Sequence, residues 1–561
     1  MVPSTVDMLV HYRETTGDVP PRLIGASTTL AGSKLYLFGG ALASAPEIRL
    51  LSALYAFDID LSKWERIKPA VEDSVPKARY LHTTELWNNH LVVFGGLGAQ
   101  GNNADLEQLQ VLNDVRLFDL SSRRWLPQPA GITVRSSLTL VPRPRHTHLA
   151  CVSSNRMFII GGKDLFGVGL DDVCVYDLGK KQWTQRQQYA PIPDLKHGLA
   201  VSSRWHTRTP PLNQSPTAQA DFLLHPSPLP FSERATRKSP RDIYVYNAEH
   251  AERRLEILSS LPNADEQVKK LSVDGKSHPP YLRFPSGGFL GTALILAGNY
   301  ATENKDHLFF IWRLDLGTNT WSPLDFGERL KTGSWTKGVL CDNQNKFIVF
   351  GNRIGPFADS PDRVVLAWNQ VAVVDLEAVG IFQPPPLKMD DANQRLGLVA
   401  LAEGRRADFT FLCEDGRQIQ CSRKLIVERW PWFQEQQARL KGDPSASVTY
   451  GKCSEITIAP TSCAFAQSYP VTMALVQYFY TMSLGTALQR APAVLSYLLV
   501  IATDFNIPHL KALVRHGMHV ALSEATAAGV YEIAALCGCR SLQIRWDLLL
   551  SSVQNSDGLL A

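Results

Sequence analysis

Short apolar runs separated by turn residues fill the first two thirds of the chain, and one such run recurs with glycine at its end. The clear copies are Leu35–Gly40, Leu91–Gly96 and Met157–Gly162, and weaker copies are Leu294–Gly298 and Phe347–Gly351. Apolar runs of this length between turn signals are typical of strands that are buried on both faces. The pattern therefore predicts a repeated unit of short β-strands.

Each copy is followed by a second apolar run that ends at an aspartate, and most of these aspartates precede a tryptophan by six residues. The aspartates are Asp58, Asp119, Asp177, Asp315 and Asp375, and the tryptophans are Trp64, Trp125, Trp183 and Trp321. An aspartate at a fixed place in every repeat is expected to hold a turn, and the tryptophan to pack against a neighbouring unit. The paired glycines allow sharp turns; they are Gly39, Gly40, Gly95, Gly96, Gly161 and Gly162.

This combination of glycine pair, aspartate and tryptophan resembles the kelch repeat, whose period is about 50 residues. The resemblance implies an all-β propeller in which each repeat forms a blade of four strands. The interval between Gly162 and Gly298 is long enough for two repeats, so a degenerate blade is expected there and the total is six. In that weak blade, 198–202 is expected as the inner strand, 242–247 as the third strand and 255–258 as the outer strand.

The sixth repeat lacks the tryptophan-bearing strand after Asp375. The segment Met8–Tyr12 is followed by a turn-rich stretch, a pattern that resembles the end of a repeat. We therefore expect this N-terminal strand to complete blade six and to close the ring through backbone hydrogen bonds.

A segment rich in proline and serine, at about residues 204–241, interrupts the weak blade. Its prolines exclude a helix or a central strand, so a disordered insert is expected. Four of its residues precede proline and are candidate phosphorylation sites: Thr209, Ser215, Ser227 and Ser239. The alternative is a solvated spacer in which these pairs have no role.

After the prolines at 384–386, the sequence pattern changes from one typical of strands to one typical of helices. The predicted organisation is a propeller at 1–382, a proline-rich linker at 383–390, an α+β domain at 391–518 and a short helical extension at 519–561. Within the second domain we expect a hairpin of strands 407–412 and 417–421, a helix at 424–433, a strand at 455–458, and helices at 471–481, 495–505 and 507–516.

This order resembles the BTB/POZ domain, and the helices after residue 519 resemble the start of a BACK-type extension. The segments that carry the resemblance are Asp408–Phe411, Cys421–Phe433, Tyr478–Thr481 and Leu498–Lys511. Ser422 and Arg423 stand where the family has histidine and lysine. The resemblance implies a homodimer, with residues of the interface and core assigned to Leu398, Ala402, Asp408, Phe433, Tyr478 and Tyr480.

Composition and motifs argue against several classes of function. The net charge of +4 arises from 57 basic and 53 acidic residues and gives no reason to expect nucleic-acid binding or direct membrane insertion. The nine cysteines show no zinc-ligand spacing, which suits reduced thiols in a cytoplasmic protein. No nucleotide-binding, metalloprotease or serine-hydrolase motif is present, so no enzyme activity, cofactor or metal is expected. His146 and His148 occupy a turn of the repeat and are assigned to packing.

The resemblance suggests two functions. The first is a scaffold similar to fungal kelch–BTB proteins of the Ras pathway and to leucine-zipper-like kelch–BTB regulators. The propeller would bind a Ras-type GTPase or its exchange factor, the BTB domain would dimerise, and the partners would hold the protein at the cell cortex. The alternative is a substrate receptor of a Cullin-3 ubiquitin ligase. A third reading, an enzymatic propeller, would need a polar cluster unique to one blade.

Overall fold

A computed structural model of the chain separates into two compact units. The first contains Met1–Trp205 and Arg234–Leu376, and the second contains His206–Glu233 and Glu377–Ala561. The residues that the structure describes are 8–43, 49–99, 109–127, 139–189, 197–202, 206–207, 231–232, 242–248, 255–258, 268–271, 277–301, 307–354, 359–360, 363–439, 447–450, 455–523 and 526–557.

The described part of the first unit forms six sheets with four main strands each, which are the blades of a propeller. Blades one to three contain strands at Ser27–Ala31, Lys34–Phe38, Leu54–Asp58 and Lys63–Ile67; at Thr83–Trp87, His90–Ala99, Leu109–Asp119 and Arg124–Trp125; and at Leu149–Ser153, Arg156–Ile160, Asp172–Asp177 and Gln182–Gln188. Blades four to six contain strands at Gly198–Ser202, Ile243–Asn247, Leu255–Leu258 and Val268–Lys270; at Arg283–Leu290, Ala293–Ala301, His307–Asp315 and Thr320–Leu324; and at Ser334–Cys341, Lys346–Asn352, Gln370–Asp375 and Val10–Glu14.

The N-terminal strand completes blade six, as the sequence predicts. It pairs antiparallel with the third strand of that blade, with Val10 opposite Val374 and Glu14 opposite Gln370. The Tyr12 ring stacks on Trp335, with 5.6 Å between the ring centres. A second junction of the ring is a small sheet in which Arg363–Leu366 pairs with Leu23–Ile24 of blade one.

Blade four differs from the prediction in the order of its strands. Ile243–Asn247 pairs directly with Gly198–Ser202 and is the second strand, whereas the sequence predicted it as the third. Leu255–Leu258 is then the third strand, and Val268–Lys270 is the outer strand. The insert therefore interrupts the hairpin between the first and second strands. A two-residue pair, His206–Thr207 with Phe231–Ser232, lies within it.

Apolar side chains fill the interfaces between neighbouring blades, because one blade cannot bury both of its own faces. The repeat tryptophans contribute to these interfaces by packing against the preceding blade. Trp125 of blade two lies 5.0 Å from the Phe38 ring of blade one, and Trp183 of blade three lies 5.5 Å from the Phe94 ring of blade two, measured between ring centres. Trp64 closes the ring against Phe350 of blade six, at 5.8 Å.

The second unit is an α+β fold with a five-stranded sheet. The strands lie in the order Gln418–Cys421, Phe409–Cys413, Ser462–Phe465, Ile456–Ile458 and Val448–Tyr450. The unit also contains helices. In chain order they are Asp391–Ala402, Arg423–Arg429, Pro431–Arg439, Tyr469–Thr481, Ala487–Arg490, Pro492–Asp504, Pro508–Ala521, Ala527–Leu536 and Arg540–Asp557. The strands Ser462–Phe465 and Val448–Tyr450 were not predicted.

One helix predicted from the sequence is in fact two. The predicted helix at 424–433 ends at Arg429, and a new helix begins at Pro431. Trp430 between them is extended, with φ −127° and ψ 90°, because a residue that precedes proline is disfavoured in the helical region. The break turns Trp430 and Phe433 into the core, where both are fully buried.

The boundary between the units also differs from the prediction, which ended the propeller at residue 382. The Glu377 carboxylate accepts hydrogen bonds from His519 at 3.0 Å and from Arg515 at 2.9 Å. Phe382 stacks on the His519 ring, with 4.8 Å between ring centres. Residues from Glu377 onward therefore belong to the second unit.

Candidate functional site at the loop end of the propeller

Two kinds of loop lie at the same end of each blade. In blade three, Leu149 at the start of the first strand is opposite Ile160 at the end of the second, and Ile160 is opposite Val173 at the start of the third. The loop that enters the first strand and the loop that joins the second and third strands are therefore neighbours. We call this side of the ring the loop end and the other side the turn end.

An axial cavity of about 300 Å³ opens among the first strands of all six blades. Its walls are mostly apolar and include Leu81, Leu149, Phe284 and Leu366. Lys337 of blade six is the basic side chain among the lining residues. Among the described residues Lys337 has no ion pair, and burial lowers the pKa of its ammonium group, because the charged form loses solvation there.

Two further lining residues, His82 and His148, join neighbouring blades. The His82 Nε2 atom lies 2.7 Å from the Ser27 hydroxyl of blade one, and the His148 Nε2 atom lies 2.8 Å from the Thr83 hydroxyl of blade two. Burial lowers the pKa of both imidazoles well below the usual range, so both rings are neutral at physiological pH. The packing role that the sequence assigned to the histidines of this turn agrees with these contacts.

A buried arginine pairs with an aspartate at the loop end of blade two, and another does so in blade three. These aspartates were not identified from the sequence. Arg79 donates to both carboxylate oxygens of Asp114, at 2.8 and 2.9 Å, and Arg145 donates to both of Asp172, at 2.6 and 3.2 Å. Both guanidinium groups are fully buried. The two aspartates immediately precede the third strand's apolar run, as Asp114-Val115 and Asp172-Val173, and this repetition is the signal that could have identified them.

The glycine pairs complete the same joints. Gly39 and Gly40 have φ of +67° and +99°, values that favour glycine. The Gly40 N–H donates to the Arg79 carbonyl of the next blade at 2.8 Å, and the Gly96 N–H donates to the Arg145 carbonyl at 2.9 Å. A Cβ atom at Gly39 would lie 2.6 Å from the Arg79 carbonyl oxygen. The glycines therefore allow one blade's loop to touch the next. The other glycines of the pairs, Gly95, Gly161 and Gly162, also have positive φ.

The repeat aspartates lie at the turn end, away from the cavity. Asp58 accepts hydrogen bonds from the backbone N–H groups of residues 60 and 61, at 3.1 and 3.0 Å. Asp119, Asp177 and Asp315 accept equivalent bonds from Ser121, Lys180 and Gly317. These contacts hold the turn between the third and fourth strands, and the associated tryptophans are buried: Trp64, Trp125, Trp183 and Trp321. The candidate phosphorylation sites Thr209, Ser215, Ser227 and Ser239 lie outside the described residues.

The loop end also carries exposed apolar side chains. The loop between the second and third strands of blade three presents Leu165, Phe166 and Val168 to solvent, with Phe166 88% exposed. The corresponding loop of blade six presents Ile354, also 88% exposed. At the turn end, Leu61 is the exposed large apolar residue among those the structure describes.

In the second unit, the helix Asp391–Ala402 presents a different apolar face from the one expected. Leu398, assigned to the dimer interface or core, is buried in its own unit, and Ala402 is exposed. A Cβ atom at Gly397 would lie 2.4 Å from the Tyr480 carbonyl oxygen, so this side of the helix is packed closely against Tyr469–Thr481. The exposed large apolar residues of the helix are Leu396 and Val399, three positions apart on the outer side, and Ala402, three positions further on, lies on the same side.

The remaining residues assigned to this unit support its core. Phe433, Tyr478 and Tyr480 are buried. The Tyr480 hydroxyl accepts a hydrogen bond from the Ser422 N–H at 2.7 Å, and the Asp408 carboxylate accepts one from the Arg423 N–H at 2.7 Å. Asp408 and Tyr480 therefore hold the first turn of the helix Arg423–Arg429.

Neither unit offers a metal or membrane-spanning site in its described part. No group of three or more histidine, cysteine or acidic residues is placed to hold a metal ion among the described residues. Within the same residues, no helix is both long enough and apolar enough to cross a bilayer.

Comparison with known proteins agrees with the fold of the first unit. Residues 2–205 match a family model described as the KLHDC2/KLHL20/DRC7 Kelch-repeats domain. Protein ral2 of Schizosaccharomyces pombe is 24% identical over 95% of this chain and 92% of its own length. The negative regulator of sporulation MDS3 of Candida albicans is 26% identical over 62% of this chain, but over 27% of its own length. Human host cell factor 2 is 26% identical over 33% of this chain and 24% of its own length. Residues 2–205 thus match a kelch-repeat domain, and the chain is similar to ral2 across both of its units.

Proposed function

We propose that this protein is a non-enzymatic adaptor whose propeller binds a protein partner and whose second unit, a BTB/POZ-type domain, forms a homodimer. The partner proposed from the family resemblance is a Ras-type small GTPase or its exchange factor, with effects on cell shape or mating. The observation that carries the proposal is the similarity to ral2 over 95% of the chain, because it extends over both the propeller and the α+β unit of this protein.

The proposed dimer interface is the outer face of the helix Asp391–Ala402. Leu396 and Val399 are 65% and 46% exposed, although neither has a polar group that water could satisfy. Two copies of this face could meet about a two-fold axis, in a contact where the same patch serves both protomers. A dimer would carry two propellers and would raise the avidity for partners that are clustered on a surface.

Sedimentation of the full-length protein tests the dimer. We expect a dimer at tens of micromolar, and a monomer when Leu396→Asp and Val399→Asp are combined, because the contact would bury unpaired charge. Leu536→Asp, at another exposed position of the same unit, is the matched control and should leave the dimer intact. A wild-type monomer, or an equal loss in the control, would contradict the proposal.

Direct binding measurements test the partner. The full-length protein is titrated with a purified Ras-type GTPase in its GTP-bound and GDP-bound forms, and with the catalytic domain of an exchange factor. Saturable binding to one of these supports the proposal, and absence of binding to all of them at about 50 µM, where a specific complex would be detected, contradicts it.

The second candidate function is a Cullin-3 substrate receptor. Its support is the pair of helices Ala527–Leu536 and Arg540–Asp557, which occupy the place of a BACK-type extension. Titration of the full-length protein with the N-terminal domain of Cullin-3 separates the two functions, because the scaffold does not require a cullin.

A further inference from the structure

Exposed apolar side chains stand on several loops of the loop end. Leu165, Phe166 and Val168 belong to blade three, Ile354 belongs to blade six, and the fully exposed Val71 lies on the crossover after blade one. In a ring of six blades, blades three and six face each other across the axis, so the opening of the axial cavity lies between them. The loop end therefore presents separate apolar projections rather than one continuous apolar patch.

Hydrogen bonds within the loop of blade three hold its exposed tip in one conformation. The Asp164 carboxylate accepts hydrogen bonds from the Phe166 N–H at 2.9 Å and from the Val168 N–H at 3.0 Å. The Asp164 N–H donates to the Val168 carbonyl at 3.0 Å, and Gly167 takes a φ of +77° at the tip. Because the turn is ordered before any contact forms, binding would cost little additional conformational entropy.

Exposed basic side chains lie on other loops of this end. They are Arg22, Arg49, Lys77, Arg143 and Arg353. Several carboxylates at this end have partners of their own. Asp164 and Asp171 accept hydrogen bonds from neighbouring groups, Glu72 and Asp73 on the crossover after blade one pair with Arg124, and Asp325 and Glu328 on the crossover after blade five pair with Lys331. Within the described residues, the loop end thus combines exposed apolar side chains with exposed basic side chains.

We propose that the loop end of the propeller binds an anionic lipid surface by inserting Phe166 and Ile354 at the interface. A flat, fluid surface can accept two separate apolar insertions, whereas a protein partner needs a continuous buried core. Apolar and aromatic side chains flanked by Lys and Arg have the composition of proteins that lie in the headgroup region. The basic residues supply the attraction to acidic lipids.

This inference extends beyond the sequence-based expectation of no direct membrane insertion. That expectation rested on the net charge of +4, which counts all residues equally. A surface interaction depends instead on where the charges lie, and the fold brings basic residues from five loops to one end. The proposed contact is interfacial and involves no membrane-spanning segment. The proposed lipid contact does not depend on the adaptor function, because it can be tested with lipid vesicles in the absence of any protein partner.

Co-sedimentation of the full-length protein with vesicles provides the test. We compare vesicles of phosphatidylcholine alone with vesicles that contain about 30 mol% phosphatidylserine, at about 0.1 M salt, where the Debye length is about 10 Å. We expect binding to the anionic vesicles that is at least tenfold stronger than to the neutral ones. Binding should fall by a similar factor at about 0.5 M salt, because exposed charges are then screened.

Matched variants locate the contact. Phe166→Asp combined with Ile354→Asp should weaken binding to anionic vesicles by at least tenfold, whereas Leu61→Asp at the turn end should have no effect. All three positions are exposed, so each variant should keep the melting temperature of the wild type. Equal binding to neutral and anionic vesicles, or equal binding by the double variant and the wild type, would overturn the proposal. Loss of binding to the GTPase or the exchange factor in the double variant, with no wild-type binding to vesicles, would assign the loop end to a protein partner and would also overturn it.

Discussion

Blades three and four form the same four-stranded ladder from very different sequences. Blade three has the glycine pair, the buried Arg145–Asp172 pair and Trp183, and no long insert separates its strands. By strand register, the sequence of blade four has Ala248 and Glu249 in place of the glycine pair, and an insert separates its first two strands. A four-stranded ladder can therefore form without the motif residues, which in blades two and three take part in contacts between blades.

The position of the buried arginine holds an apolar residue in two other blades. Blades one and five place Leu23 and Leu282 at the position of Arg145, sixteen residues before the glycine, and both leucines are fully buried. An apolar side chain therefore fits this position, provided that no unpaired carboxylate remains beside it.

Replacing Arg145 with Leu should lower the free energy of unfolding by about 3–5 kcal/mol, because the buried Asp172 loses a bidentate partner. The double variant Arg145→Leu with Asp172→Leu should recover at least half of this loss, since both charges are then removed. Arg143→Leu, at an exposed position, is the control and should change stability by less than about 0.5 kcal/mol. Urea denaturation measures all three, and a single variant as stable as the control would contradict the role assigned to the pair.

A smaller effect on the free energy of unfolding is expected from Glu85. It occupies the third position of the first strand of blade two, where blade four has Ala200. Burial raises the pKa of the Glu85 carboxyl group to about 8, so the folded state retains a proton that the unfolded chain releases near pH 4.5. The stability of the wild type should therefore decrease as the pH rises from 4.5 to 8.

Glu85→Gln removes this titration while keeping the shape of the side chain. Relative to the wild type, we expect the variant to gain about 1–3 kcal/mol between pH 5 and pH 8. Glu14→Gln, at an exposed position, is the control. Thermal melts across this pH range provide the measurement, and parallel curves for the wild type and Glu85→Gln would disprove the assignment.

The smallest effect concerns the insert of blade four. Replacing residues 208–230 with a short Gly/Ser linker should change the free energy of unfolding by less than about 1 kcal/mol, because loop length affects closure entropy only weakly. The first and second strands would keep their pairing, with Gly198 opposite Asn247 and Ser202 opposite Ile243. Loss of soluble protein after the replacement would mean that the insert contributes to the folded blade.

The same comparison explains how far the sequence alone could be interpreted. Where no insert separates the strands of a blade, the apolar runs, the glycine pair and the tryptophan locate the second, third and fourth strands, as in blade three. In blade four the insert removes the short turn that marks the first hairpin, so the second strand was assigned as the third. Across blades two and three, Asp114 and Asp172 were missed because a carboxylate before an apolar run has no obvious role until its arginine is located.

Properties that depend on contacts between residues far apart in the sequence were harder to predict. The apolar face of the helix Asp391–Ala402 was assigned to Leu398, because helical periodicity alone cannot tell which side packs against Tyr469–Thr481. Lys337 carries no sequence signal, since its environment is built from all six blades. The grouping of exposed basic side chains at the loop end is likewise a product of the fold.

The pairing of Val10 with Val374 has a consequence for the synthesis of the protein. During translation, this strand leaves the ribosome long before its partner and must wait until nearly the whole propeller has been made. Contacts between residues so far apart in sequence make folding slow, and an unpaired strand edge is prone to aggregation in the meantime. Blade six therefore cannot be completed co-translationally before residue 375 emerges, and the nascent chain is a candidate client for chaperones over that interval.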